Sequence, residues 1–167
     1  TAGQLVYSAD YLIEYIEDPN EFVKNKQTNI GGSETRLILW TAAFKVYLEN
    51  PFGVGTGNLD VYMTNMLERI GHSKLAARKF NPHNQYLQTA AEIGSIGLLI
   101  LFSIIFYVCY YAIKKKNWLL LFVILNLAFN CLFESMLQKQ SGIVFYTFWI
   151  CLLVAANLNP KTELNKG

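Results

Sequence analysis

Strand-like alternation, metal-ligand spacing and paired cysteines are all missing from this chain of 167 residues. Cys109, Cys131 and Cys151 lie inside apolar runs at no redox or metal spacing, which reads as buried thiols rather than disulfides or ligands. Asp10, Asp18 and Asp60 are scattered, and no D-x-D or His/carboxylate cluster suggests a metal site. Gly53, Gly55 and Gly57 fail the G-x-G-x-x-G spacing and follow no apolar strand, which excludes a dinucleotide fold. Glycines so placed permit either a tight turn with close backbone packing or a phosphate cradle. Charge is scarce too: 16% of residues are charged against 53% hydrophobic, more apolar than an average soluble domain. Neither a cofactor nor a nucleic-acid partner is implied.

What is present is unevenly spread. Residues 1–92 hold 8 Lys+Arg and 10 Asp+Glu with long polar stretches, whereas three apolar runs follow in close succession, residues 93–113, 118–133 and 141–158. The first run is long enough to cross the roughly 30 Å of a hydrocarbon core, and the two shorter runs can be extended by tilt or by partners. The expectation is an all-α, polytopic membrane helix bundle of about three transmembrane helices, preceded by a mostly helical extracytoplasmic loop region. Lys114-Lys115-Lys116 occupies a short loop, so the positive-inside rule places it in the cytoplasm. Alternation then divides the chain into a periplasmic region 1–92, a membrane region 93–160 and a cytoplasmic tail 161–167. Glu134, Gln138 and Gln140 fall on the same membrane face as His83. Three spans make a thin bundle, and the chain opens at Thr1 without a methionine or a signal-like segment, as expected of the C-terminal portion of a longer protein.

Ser33 can cap a helix over 34–49, whose stripe Leu37, Trp40, Phe44, Tyr47 and Leu48 has helical spacing and which Asn50-Pro51 ends. A second helix is expected over 59–70. Asn81 suits an N-cap and Pro82 the first helical position, which predicts that the helix carrying His83 continues into the first span. The positive end of that helix would disfavour imidazolium and leave a neutral ring able to take a proton, as a general base must; the alternative is a histidine that only satisfies polar groups at the interface. Arg36, in the first turn of its own helix, opposes the helix dipole unless an anion joins it; otherwise it reaches solvent or Glu34. Arg69, His72, Lys74, Arg78 and Lys79 form the one basic cluster on this face, either a solvated loop with His72 at the surface or an attractor of lipid headgroups or a diphosphate. Gly94 and Gly97 read as close helix packing.

Arg36-x-x-x-Trp40, Asn50-Pro51-Phe52-Gly53-Val54-Gly55-x-Gly57-Asn58, Pro82-His83-Asn84-x-Tyr86-Leu87 and Glu92-x-Gly94-x-x-Gly97 together resemble the C-terminal half of the O-antigen ligase and O-antigen polymerase superfamily of bacterial inner-membrane proteins. Glu134-Ser135-Met136-Leu137 with Gln140-Ser141-Gly142 is similar to that family's closing segment. The resemblance implies a metal-independent glycosyltransferase that draws on an undecaprenyl-diphosphate-linked glycan at the periplasmic face and delivers it to lipid A-core or another glycan. It implies His83 and Arg36 as the essential pair, the first taking the acceptor's proton and the second stabilising the departing diphosphate, with inversion at the anomeric carbon. Asn84, Glu134 and Gln138 are candidates for orienting sugar hydroxyls, and Gly55, Gly57, Arg69, Arg78 and Lys79 for the diphosphate. A transporter or a non-catalytic membrane protein is the other reading. The spans from 93 to 133 hold no charged residue outside the Lys114–Lys116 loop, which counts against a charged pathway there.

Overall fold

The computed structural model describes residues 11–26 and 32–158, and among them there is no strand. The elements run α1 (residues 11–17), α2 (Pro19–Asn25), α3 (Gly32–Glu49), α4 (Leu59–Arg69), α5 (Ser73–Ala76), α6 (Gln85–Lys114), α7 (Trp118–Asn130), a 3-10 turn (Met136–Gln138) and α8 (Gln140–Leu158). The all-helical class expected from the sequence is therefore what forms. Ser33 lies inside the first turn of α3 rather than at its cap.

Apolar side chains gather in two places. Phe22, Leu37, Ile38, Leu39, Val46, Met63 and Leu67 form a core for α2 to α5 that closes on Ala91 of α6. Ile105, Ile124, Leu127, Cys131 and Tyr146 form the other, between α6, α7 and α8. Outward, α6 to α8 expose Leu99, Ile104, Phe106, Phe122, Phe129 and Phe148, faces that call for lipid or other helices rather than water. Gln85–Lys114 and Gln140–Asn157 are long and apolar enough to cross a membrane, and Trp118–Asn130 is shorter. Its 13 residues rise only about 20 Å. The apolar run continues beyond Asn130, but the carbonyls of Cys131 and Leu132 leave the helix to accept from the Gln85 backbone N–H at 2.8 Å and from Asn84 Nδ2 at 3.1 Å.

The most consequential local feature is at Gly94. Its φ of 76° and ψ of −166° break α6 into two helices. Tyr86 stacks on Phe102 with ring centroids 5.2 Å apart. Sixteen residues of unbroken helix would hold the two about 24 Å apart, so the segment before Gly94 folds back along the segment after it. Gly97 faces Ile93 and Thr89 across the fold with no room for a methyl group.

The break strands backbone groups, and the loop after α3 satisfies them. The N–H groups of Val54 and Gly55 donate to the carbonyls of Ala91 and Glu92, both at 2.9 Å, and Ser95 N–H donates to Pro51 at 3.0 Å. Tyr47 and Ser95 share a hydroxyl hydrogen bond of 2.9 Å beside it. Gly53 and Gly94 meet backbone to backbone: a Cβ on Gly53 would strike the Glu92 carbonyl, and one on Gly94 the backbone of Phe52. The Gly53-x-Gly55 stretch is thus a plug for a broken helix, and Gly55 and Gly57, at φ of 89° and 91°, supply its left-handed turns.

Candidate functional site

His83 stands just outside α6. The cap is Asn84, whose side chain accepts from Leu87 N–H at 3.1 Å, while His83 takes a left-handed φ of 49° and its N–H donates to Asn81 Oδ1 at 3.2 Å. The expectation that Asn81 caps the helix and places His83 in its first turn is corrected, and with it the dipole argument for a neutral ring. Both asparagines qualify as caps, but only Asn84 can also tie α6 to the end of α7 through Leu132.

A carboxylate orients the ring instead. His83 Nδ1 lies 2.9 Å from Glu134 Oε1, and Lys139 Nζ donates to the other oxygen, Oε2, at 3.0 Å. Burial by itself would push the Glu134 carboxyl up, but hydrogen bonds from Lys139 and His83, with their charges, hold it below the usual value. An ionised Glu134 can accept a proton from Nδ1, and whenever the ring is neutral that arrangement leaves Nε2 as the acceptor. That nitrogen has no partner among the described residues, and the side chain remains 29% exposed, open to an incoming group.

A seam of side-chain bonds holds the loop after α7 against the start of α6. Gln85 Oε1 accepts Leu137 N–H at 2.7 Å, and the buried Ser135 hydroxyl donates to Gln88 Oε1 at 3.4 Å. Gln88 Nε2 donates to Glu92 Oε1 at 2.7 Å, and Gln138 Nε2 reaches both oxygens of Glu92 at 3.0 and 3.2 Å. Gln85, Gln88 and Glu92 lie before Gly94 at helical spacing on one side of α6, and their partners Ser135, Leu137 and Gln138 come from the loop after α7. Below Asn84 an open groove of about 790 Å³ runs between α6 and α7, walled by Tyr86, Leu87, Phe102, Leu125, Phe129 and Leu132.

The remaining candidates are dispersed. Arg36 is exposed on α3 and makes no hydrogen bond or ion pair with another described residue. Arg69 is engaged with Glu49 at 2.9 Å on the surface. Arg78 and Lys79 are exposed beyond α5, where Lys79 borders a small cleft with Asp60, Thr64 and Asn65. His72 is not a surface residue: it is 3% exposed, and its Nε2 lies 2.8 Å from the Val23 carbonyl. Sequence reasoning placed Glu134 on the His83 face but missed its hold on the ring, and missed Lys139, Gln88 and Glu92; a lone lysine five residues after a loop glutamate was the available signal.

Fold and site together define an all-helical protein, with two helices long and apolar enough to cross a membrane and a carboxylate-held histidine next in sequence to Asn84, which lines an apolar groove. Residues 2–102 match the O-antigen ligase family, and the chain belongs to that membrane-associated family. It is also 26% identical over 155 residues to an uncharacterized protein of Haemophilus influenzae, across 86% of this chain and 37% of that protein. The chain thus spans little more than a third of that relative's length. No solved structure matches it significantly.

Proposed function

We propose that this chain carries the acceptor-activating site of a ligase- or polymerase-type glycosyltransferase, which moves a glycan from undecaprenyl diphosphate to a hydroxyl of lipid A-core or of another glycan. The observation that carries the reading is the His83–Glu134 pair, whose Nε2 has no partner among the described residues and whose neighbour Asn84 lines an apolar groove. In the proposed step an acceptor hydroxyl attacks the anomeric carbon as its proton passes to His83 Nε2. The bond to the diphosphate oxygen breaks with its electron pair, and the configuration inverts. Glu134 stabilises the imidazolium that forms, the part a buried carboxylate plays beside a general-base histidine. Its assignment therefore moves from orienting sugar hydroxyls to orienting the base, while Asn84 and Gln138 stay as candidates for the sugars.

The departing diphosphate gathers charge with no metal invoked, and Arg36, Arg78 and Lys79 are the exposed cations assigned to it. Arg69, already paired with Glu49, is the weakest of that set. The groove suits the donor's isoprenoid chain, and the Lys114–Lys116 loop argues for a site on the periplasmic face of the inner membrane.

The test is transfer by the purified full-length protein in lipid, given a short undecaprenyl-diphosphate glycan with and without acceptor. A ladder of lengthened glycans without acceptor identifies a polymerase, and one shifted product that requires acceptor identifies a ligase. No product from either sinks the transferase reading.

A further inference from the structure

We propose that Lys139 is a positioning residue for the His83–Glu134 pair, holding one carboxylate oxygen so that the other faces the imidazole; the inference rests on reading His83 as the base. The terminal torsion of a glutamate is broad and roughly two-fold, so one partner alone does not fix the carboxylate plane. Here each oxygen has its own partner, His83 on Oε1 and Lys139 on Oε2.

The backbone delivers Lys139 to that place by several independent constraints. After Glu134 the chain turns at once, Met136 N–H donating to the Glu134 carbonyl at 3.0 Å and Gln138 N–H to that of Ser135 at 3.1 Å. The 3-10 turn Met136–Gln138 carries the chain back over Glu134, and Lys139 follows it directly. On the far side α8 starts hard against the turn, since a Cβ on Gly142 would strike the Met136 carbonyl. The backbone is pinned on both sides of a lysine whose side chain is 58% exposed yet turned onto Glu134. The neighbouring carboxylate, Glu92, is served by amides from Gln88 and Gln138, so the seam gives its cation to the carboxylate that touches the histidine.

Lys139 contacts neither ring nitrogen, so its effect passes through Glu134. Screening at this exposure keeps its direct field on the ring small. What it supplies is a donor that holds the carboxylate in place, a task a guanidinium can also perform and an isosteric apolar side chain cannot.

The experiment uses the full-length protein with Lys139→Met and Lys139→Arg, reading kcat and KM for glycan transfer and, separately, the NMR resonance of the His83 Nδ1 proton, which a hydrogen bond to Glu134 protects from exchange. Lys139→Met is expected to lower kcat about 3- to 10-fold, the share of one partly exposed charge-assisted hydrogen bond, with KM nearly unchanged. It should also broaden the Nδ1 resonance, while Lys139→Arg restores both. An unchanged resonance in Lys139→Met overturns the inference, whatever the rate does. A broadened resonance with an unchanged rate upholds Lys139 as the residue that positions the ring and removes the base role from His83.

Discussion

Replacing Gly94 with alanine tests whether the fold-back of α6 builds the site. At φ 76° and ψ −166° the backbone lies where side chains are not tolerated, a strain of about 1–3 kcal/mol. The new Cβ would also collide with the Phe52 backbone and the Pro51 carbonyl. Relief requires the loop to withdraw, which breaks the bonds from Val54 to Ala91, from Gly55 to Glu92 and from Ser95 to Pro51. At about 0.5–1.5 kcal/mol each, these bring the total to about 2.5–7.5 kcal/mol, a large part of the about 5–15 kcal/mol that holds a typical domain folded. Gly57→Ala is the matched control. Its φ of 91° is also left-handed, but nothing lies within 4 Å of the added methyl, so only about 1–2 kcal/mol of backbone cost applies. Thermal unfolding of the full-length variants in lipid, followed by tryptophan fluorescence, should show Gly94→Ala losing several times the stability lost by Gly57→Ala. Equal losses would mean that the plugged break is not what holds the two parts of α6 together.

Other consequences follow from single contacts. His72→Ala leaves the Val23 carbonyl buried without its partner and opens a void, so chemical denaturation should show about 1–3 kcal/mol of destabilisation with little effect on the site's chemistry. Glu134 titrates below its usual value in the folded protein, so it contributes stability that is fully present above the unfolded carboxyl range and is lost as pH falls through the depressed value. Melting curves from neutral to acid pH should accordingly fall less steeply in Glu134→Gln than in the parent protein. The same substitution removes the anion that steadies a protonated His83 and should slow transfer about 10- to 10²-fold in steady-state assays, the worth of a charge-assisted hydrogen bond.

Helix positions were legible because periodicity, Asn50-Pro51 and the apolar runs are local signals; α3 and α4 lie within about two residues of where spacing puts them. The start of α6 was not, because Asn81-Pro82 imitates a cap so well that only the bond from Asn84 to Leu132, 48 residues on, decides between them. The second apolar run shows the same limit: its composition continues past Asn130, but tertiary hydrogen bonds to Asn84 and Gln85 end the helix there. His72 read as a surface residue because its neighbours are basic, while the carbonyl that buries it comes from Val23, far back in the chain. Gly94 and Gly97 were legible as close packing, although a helix folded back on itself has no signature beyond those glycines. The positive-inside rule and the alternation of spans put Glu134 and His83 on one face, but that they touch depends on the turn at 131–139, which no periodic pattern encodes.

The central claim is that His83 takes the acceptor's proton. Single-turnover transfer by the full-length protein from a lipid-diphosphate glycan, comparing the parent with His83→Ala at equal amounts in the membrane, tests it most directly. The account predicts a loss of about 10²- to 10⁴-fold in the transfer step with donor binding retained. A His83→Ala protein that transfers at the parent rate would contradict it.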